Sequence, residues 1–291
     1  MEMLEAAANA NIIIFARKHK MAFNNIMQLA TATLTAQGAF APGATVVEWG
    51  NQRFRYSEEW LDQCSKVSGK QLRKPTQYVW EYFDDLGFSK YLAIDVNTEL
   101  RAIAMDLNFI LKDKYNYTTQ FDYVTNNGTG EHIFDQRTVF ENMHNLCKTG
   151  GTMINVLPFA PWFNHCFYSF HPQLFRDIAA ANGYTWQFMW LAQNTGKYVD
   201  CPTNMDSWTY YEQKKPRTPL SGLEKVFDEL HNRDGKTHNV SIVSAYTKTK
   251  DQPFVVPMQG RYVNDVVDDL KTEYSETNVD VRQADHKSAN Y

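Results

Sequence analysis

The sequence predicts a doubly wound α/β fold: a mostly parallel, seven-stranded sheet with helices on both faces, plus a helical cap at the N-terminus. Short apolar runs alternate with helical patterns along most of the chain, as parallel strands and crossover helices do. These runs are continuously apolar, which indicates strands that are covered on both faces of the sheet. The segment before Gly38 is rich in Ala and Leu and contains no Pro or Gly, which predicts the cap.

The composition limits the classes of protein. The chain has 291 residues, 43% of them hydrophobic, which suffices for one large α/β domain. Its net charge is −4 with both signs interspersed, which disfavours a nucleic-acid partner. The sequence contains no apolar run long enough for a membrane span, so no membrane partner is expected. The four cysteines form no CxxC pair, which predicts no disulfide framework and no metal site and is typical of a cytoplasmic protein.

Local patterns assign the elements of the first part of the chain. A helix is expected over 3–36, and Ala-Pro-Gly at 41–43 breaks the chain after it. The β-branched run at 45–47 predicts the first strand. Residues 53–74 are polar and charged, and we expect an irregular or helical insertion there. A helix over 75–86 follows, because Pro suits its first position and Gly its end.

Strands and helices alternate in the remainder. Helices are expected over 135–147 and 172–182, each followed by a glycine-containing turn. Strands are expected where apolar runs end in polar residues or Pro, at 91–94, 102–105, 121–124, 152–157, 184–192 and 240–246. The last of them is expected to run antiparallel.

The same patterns divide the chain into three parts. A polar, Pro-containing stretch interrupts the second part between its last two strands. The parts are a helical cap at 1–40, an α/β domain at 41–264 with insertions at about 53–74 and 194–238, and a C-terminal tail at 265–291.

Polar residues or Gly follow four of the predicted strands. Ligands of an open parallel sheet bind outside the carboxyl ends of its strands, so these positions predict a binding site. The candidates are Glu48, Gly50, Asn51, Gln52, Asp95, Val96, Asp106, Leu107 and Asn126. Gly50 lets a ligand approach the backbone, and Asp95 suits the two hydroxyls of a ribose. Asp106 and the Leu107 amide suit an adenine edge; the alternative for every position is a simple turn.

Two phosphate-binding motifs are absent from the sequence. No G-x-G-x-x-G follows a strand and no G-x-x-x-x-G-K-[ST] occurs, which disfavours a nicotinamide oxidoreductase. A ligand with a ribose and an adenine but no pyrophosphate fits better. S-adenosylmethionine meets that description.

A set of motifs carries a family resemblance. These are Glu48-Trp49-Gly50 after the first strand, the acids Asp95 and Asp106, Phe121-Asp122-Tyr123-Val124, Glu131-His132, and Leu146-Cys147-Lys148-Thr149-Gly150-Gly151. Over about 44–250 their order resembles that of the class I S-adenosylmethionine-dependent methyltransferases. The resemblance implies S-adenosylmethionine as the cofactor, Asp95 as the ribose acid and Asp106 at the adenine. The chain departs from the family in having a single Gly in the first motif and a long insertion, 53–74, which is either a lid or a surface excursion.

The acceptor side is predicted from histidines and aromatic residues. His132 follows the fourth strand and His165 the fifth, and either suits a general base near neutral pH. The aromatic stretch around His165 predicts a pocket for the acceptor, with Trp162, Asn164, Tyr168 and His171 as contacts. Packing or helix capping is the alternative for His132 and His171.

The resulting function is in-line methyl transfer to a small-molecule or glycan-type acceptor. A degenerate methyltransferase fold that serves as a cofactor-binding protein or scaffold is the second hypothesis, since the first motif is short of glycines. The sequence leaves open whether the protein is a homo-oligomer.

Overall fold

A computed structural model describes residues 22–201 and 238–259. Its strands are β1 (Ala22–Phe23), β2 (Thr45–Trp49), β3 (Arg53–Phe54), β4 (Lys90–Asp95), β5 (Ala102–Ala104), β6 (Phe121–Asn127), β7 (Cys147–Ala160), β8 (Thr185–Gln193), β9 (Tyr198–Asp200) and β10 (Val240–Thr247). Its helices are α1 (Asn25–Ala36), α2 (Glu58–Ser68), α3 (Val79–Leu86), α4 (Leu111–Tyr115), α5 (Gln136–Leu146) and α6 (Pro172–Asn182), with short 3-10 turns at Glu99–Arg101 and Gly130–His132.

The main sheet has the strand order β5-β4-β2-β6-β7-β10-β8-β9. The first five of these strands pair in parallel, and β10 runs antiparallel between β7 and β8. This confirms the doubly wound, mostly parallel fold that the resemblance implies, including the antiparallel last strand. The sheet has eight strands and not seven, because the short strand β9 forms a hairpin on the edge of β8.

Helices cover both faces of the sheet and enclose two separate cores. On β2, Val46 belongs to the core that contains residues of α1, α2 and α3. The next residue, Val47, belongs to the core that contains residues of α4, α5 and α6. Successive side chains of a strand point to opposite faces, so a continuously apolar strand supplies both cores.

The N-terminal helix begins later than the sequence predicts. Asn24 has an extended backbone, and its side-chain oxygen accepts the N–H of Met27 at 3.1 Å, which caps α1 at Asn25. Ala22 and Phe23 lie in β1, which pairs with β3. The rest of the predicted helix, up to residue 21, lies outside the described residues.

The region of the first predicted insertion is partly helical, as expected. It contains β3 and α2, which Ser57 caps at its N-terminus and Gly69 closes with a positive φ. The helix expected at 75 begins at Val79 instead. The Glu81 carboxylate accepts the N–H groups of Gln77 and Tyr78 at 2.7 and 3.1 Å, so these residues lie outside the helix as its cap.

Strands β6 and β7 extend beyond their predicted ends. The polar residues after Val124 continue β6 to Asn127, although the sequence predicts a turn there. Their polar groups are buried in a ladder: Asn126 donates to the Asn155 side-chain oxygen at 3.0 Å, and Asn155 donates to the hydroxyls of Ser244 and Tyr246. Buried amides are tolerated in a strand when the neighbouring strand supplies such partners. In the described parts of the chain, no helix has the length and apolar character that crossing a membrane requires.

Candidate functional site

The candidate site lies where the strand order reverses. Strand β2 has β4 on one side and β6 on the other, so the connections that leave β2 and β6 diverge at their carboxyl ends. Such a point is the usual position of a ligand crevice in an open α/β sheet. The predicted cofactor residues lie in the last two residues of β2, β4 and β6 or just after β2, β4 and β5, and therefore at or near this edge. The predicted acceptor residues follow β6 and β7 at the same edge.

Gly50 and Asp95 are joined by hydrogen bonds across the end of the sheet. Gly50 has a φ of 73°, which favours glycine, and its N–H donates to the Ile94 carbonyl at 2.8 Å. The next amide, of Asn51, donates to the Asp95 carboxylate at 2.8 Å, and the Asn97 side chain donates to the other carboxylate oxygen at 2.8 Å. The carboxylate is therefore fixed in position, and each oxygen retains a lone pair for a ligand.

Glu48 and Gln52 lie deeper than the edge. Glu48 is fully buried, and its carboxyl accepts the Tyr91 hydroxyl at 2.6 Å. Burial raises the pKa of Glu48 to about 8, although the hydrogen bond from Tyr91 opposes the shift. Gln52 donates to the Asn127 carbonyl at 2.8 Å and so joins the ends of β2 and β6. Both side chains are therefore buried behind this edge and connect neighbouring strands there.

The residues after β5 form a second wall. Asp106 accepts the backbone and side-chain N–H groups of Asn108, both at 2.9 Å, and these bonds hold its pKa below the usual range. Leu107 is buried, and its carbonyl accepts the Thr138 hydroxyl at 3.0 Å. Val96, directly after β4, is exposed. The proposed contacts of these residues with a cofactor stay predictions.

Asn126 organises the turn that follows β6. Its side-chain oxygen accepts the Gly130 N–H at 2.8 Å, and the residue is fully buried. A Cβ on Gly130 would lie 2.7 Å from the Asn126 amide nitrogen, so any side chain at this position would displace the Asn126 amide. Asn126 therefore orients the 3-10 turn that carries Glu131 and His132.

The structure brings the two predicted catalytic histidines together around Glu131. One Glu131 carboxylate oxygen lies 3.9 Å from His132 Nε2 and 3.7 Å from His165 Nε2, and the two imidazole rings are 5.1 Å apart. Glu131 is buried, and within the described ranges its other oxygen has no hydrogen-bond partner. Burial lowers the pKa of His132, an effect that Glu131 opposes and His165 adds to. The His132 imidazole is therefore neutral at pH 7, and its role as a base stays a prediction.

The loop after β7 is attached to this cluster. The Phe167 N–H donates to the Glu131 carbonyl at 3.1 Å. The Trp162 ring lies 4.8 Å from the His165 ring, and its N–H is fixed by the Val240 carbonyl at 2.9 Å. Asn164 is exposed and has a φ of 52°.

Two other predicted acceptor contacts have structural partners. The Tyr168 hydroxyl donates to the Phe134 carbonyl at 2.9 Å, which connects the loops after β6 and β7. His171 caps α6, because its Nδ1 accepts the Gln173 N–H at 3.4 Å. This is the alternative that the sequence leaves open for His171.

The sequence identifies Glu131 only as part of a motif and assigns it no role. The sequence shows Glu131 only as an acid beside a histidine after the fourth strand. The structure adds that His165, in the loop after the neighbouring strand β7, lies beside the same carboxylate. Glu131, His132 and His165 also satisfy the spacing of a metal site. In the ranges that the structure describes, they are the one group of three His, Cys, Asp or Glu residues whose possible metal-binding atoms all lie within 4.8 Å of one another. Two histidines and a carboxylate are also a metal-binding set, so a chelation control is needed.

Comparisons with known proteins give structural similarity only. No protein-family model matches the chain, and no curated protein is significantly similar to it. A chain of the complex between the Haloferax volcanii Trm112 methyltransferase activator and the putative methyltransferase has 13% identity and a TM-score of 0.40, covering 78% of this chain and 94% of that one. A SAM-dependent methyltransferase from Archaeoglobus fulgidus has 13% identity and a TM-score of 0.39, covering 76% and 94%. One from Geobacter sulfurreducens, in complex with S-adenosyl-L-homocysteine, has 14% identity and a TM-score of 0.36, covering 80% and 95%.

Proposed function

We propose that this chain is an S-adenosylmethionine-dependent methyltransferase that acts on a small-molecule or glycan-type acceptor. The observation that carries the proposal is the fixed Asp95 carboxylate beside Gly50, at the point where the strand order reverses. A carboxylate held there is suited to both hydroxyls of a ribose. The resemblance of the motifs between 91 and 158 to those of the class I family supports the same ligand.

The cofactor residues divide into contacts and supports. Asp95 would accept the ribose hydroxyls, Asp106 and the Leu107 amide would meet the adenine, and Val96 would cover it. The Asn51 amide is already engaged by Asp95, so Asn51 acts by holding that carboxylate. We assign Glu48, Gln52 and Asn126 to the walls, because each is buried and bonded to a neighbouring strand or turn.

The acceptor proton goes to the histidine cluster. S-adenosylmethionine, when bound, would supply an electrophilic methyl group on its sulfonium and would leave as S-adenosylhomocysteine once an acceptor atom had taken the methyl group. His132 or His165 takes the proton that the acceptor atom loses. The buried Glu131 carboxylate, 3.7 to 3.9 Å from both ring nitrogens, stabilises the imidazolium that forms. Alignment and exclusion of water supply much of the remaining rate.

The expected cellular setting is a reducing one, the cytoplasm. The cysteines Cys64, Cys147 and Cys201 are buried, and Cys166 is partly exposed; all four are unpaired thiols. Burial raises the pKa of Cys64, Cys147 and Cys201 to about 12, which makes them inert packing groups.

Cofactor binding tests the proposal against the scaffold hypothesis. Isothermal titration calorimetry with S-adenosylmethionine and S-adenosylhomocysteine should give saturable binding to the full chain. The Asp95→Ala variant should bind about 5- to 150-fold more weakly, which corresponds to about 1–3 kcal/mol for unpaired ligand hydroxyls. Asp84→Ala, an exposed acid on α3, is the matched control and should bind like the wild type.

Three results would count against this assignment. Absence of binding at millimolar cofactor by a folded chain would contradict the enzyme hypothesis. Equal affinities of wild type and Asp95→Ala would show that another group holds the ribose. Binding without any methyl transfer to a broad panel of acceptors would favour the scaffold.

A further inference from the structure

We infer that the acceptor carries a nonpolar body next to the atom that is methylated, as a hydroxylated aromatic or alkyl compound does and a sugar does not. This inference rests on the proposed function and narrows its substrate class. It comes from three phenylalanines, Phe134, Phe163 and Phe167, which we call the phenyl patch.

The phenyl patch is exposed to an unusual degree. Phe134, Phe163 and Phe167 are 72%, 82% and 68% exposed, and Val96 is 76% exposed. Every other large hydrophobic side chain in the described ranges is at most 43% exposed. Single exposed hydrophobic residues are ordinary, whereas a concentration of them at one place indicates a binding surface.

All four side chains lie at one edge of the sheet. Val96 follows β4, Phe134 follows β6, and Phe163 and Phe167 follow β7; these strands are parallel, so their carboxyl ends meet at the same edge. That edge holds the candidate cofactor crevice and the histidine cluster. The exposed nonpolar area of the described chain is therefore concentrated where an acceptor would bind.

The phenyl rings belong to loops that are fixed. The Phe167 N–H donates to the Glu131 carbonyl, and the Tyr168 hydroxyl donates to the Phe134 carbonyl. The Phe134 and Phe167 rings meet edge to face, 6.2 Å between centroids. The backbone of both loops is thus anchored to the catalytic cluster while the rings remain outside, which gives a preformed surface beside the histidines.

The loop after β7 carries no charged residue, which favours a nonpolar acceptor over a sugar or a membrane surface. Residues 158–175 include seven Phe, Trp or Tyr residues and no Asp, Glu, Lys or Arg. A sugar presents many hydroxyls, which need polar partners once they lose water, whereas aromatic side chains dominate this stretch and His171 already caps α6. A membrane surface would select Lys and Arg around the aromatic residues. A nonpolar acceptor needs neither, and the imidazole nitrogens supply the few polar contacts that orient it.

Binding of two probes tests the inference. With saturating S-adenosylhomocysteine, calorimetry should show saturable binding of 1-naphthol and none of methyl β-D-glucopyranoside. The double variant Phe163→Ser/Phe167→Ser should bind 1-naphthol at least about tenfold more weakly, because two phenyl contacts are lost. Its affinity for S-adenosylhomocysteine should stay unchanged. Tyr198→Ser, 43% exposed on β9, is the matched control.

The outcomes separate this inference from the proposed function. If S-adenosylhomocysteine binds but 1-naphthol does not, or binds all variants equally, the nonpolar acceptor is wrong and the methyltransferase proposal stands. If S-adenosylhomocysteine does not bind, the proposed function itself fails. Sedimentation velocity and vesicle flotation complete the test. Self-association that the double variant abolishes would assign the phenyl patch to a second copy of the chain, and vesicle binding that it abolishes would assign the patch to a membrane. Either result would overturn the inference. If the double variant misfolds, Phe134→Ser gives the same test on the other loop.

Discussion

Replacing Glu48 by Gln should change how the stability of this fold depends on pH. The Glu48 carboxyl is fully buried and has one hydrogen bond, from Tyr91. In the described part of the chain its other oxygen has no partner. Burial raises the pKa of Glu48 to about 8 from an ordinary value of 4.5, so the folded chain holds a proton that the unfolded chain releases.

The sign and size of the effect follow from this difference. Below pH 4.5 the group is protonated in both states and makes no pH-dependent contribution. As the pH rises from 4.5 to 8, only the unfolded state ionises, so the free energy of unfolding falls. Each pH unit in that interval corresponds to about 1.4 kcal/mol, so the loss approaches about 5 kcal/mol at pH 8 as an order-of-magnitude value. Above pH 8 the folded state ionises as well and the loss stops growing.

Urea unfolding followed by circular dichroism at pH 5, 6.5 and 8 measures the effect. Glu48→Gln keeps an oxygen that accepts the Tyr91 hydroxyl and removes the titration, so its stability should fall less steeply than that of the wild type. Between pH 5 and pH 8 the stability difference between the two proteins should therefore shift in favour of the variant by about 4 kcal/mol, as an order-of-magnitude value. Glu58→Gln, an exposed acid on α2, is the control, and its stability should depend on pH as that of the wild type does. Parallel curves for wild type and Glu48→Gln would show that Glu48 is ionised in the folded protein and would refute the reasoning.

Three predictions concern the histidine cluster. His165→Ala should lower turnover strongly and leave the affinity for S-adenosylhomocysteine unchanged; full activity would remove His165 as the base. Because burial lowers the pKa of His132, a reaction that uses it as the base should gain rate as the pH rises through a value below 6.5 and then level off, as a pH–rate profile measures. A rate that instead falls across this range would assign an acid. Treatment with EDTA should leave turnover unchanged, since we propose that the imidazoles act as bases; loss of activity that Zn²⁺ or Mn²⁺ restores would make Glu131, His132 and His165 metal ligands.

The sequence predicts the seven main strands because each is a continuous apolar run. A strand of this sheet contributes side chains to both cores, so its residues are apolar on both faces. The sequence misses β1, β3 and β9, two or three residues each, because such strands exist only through their partners. The start of α1 is missed for a related reason: the Ala-rich segment has helical propensity throughout, yet Phe23 pairs with Phe54 and Asn24 caps the helix. Tertiary contacts override propensity at these places.

The site could be predicted as an edge but not as a set of contacts. Residues after parallel strands share an edge, so Asp95, His132 and His165 were expected on it. The direction of each side chain is known only from the structure. Glu48 lies within the sheet and accepts a hydrogen bond from Tyr91 of β4, a contact that its position in the sequence does not reveal. The grouping of Glu131 with His165 also depends on β6 and β7 being neighbours, which the linear sequence does not state.

The proposed cofactor wall and the proposed acceptor wall of the site differ in what a ligand would gain from them. On the cofactor wall, Asp95 and Asp106 are already bonded to nearby amides, so a ligand meets groups that are fixed before it arrives. On the acceptor wall, Glu131 has a buried oxygen without a partner in the described residues, and the phenyl patch faces solvent. Leaving these groups in that state costs free energy, which acceptor binding would recover by covering the rings and excluding water from the carboxylate. For the same ligand area buried, acceptor binding should therefore stabilise the folded chain more than cofactor binding does. It should also strengthen the interaction of Glu131 with the histidines when the proton is transferred.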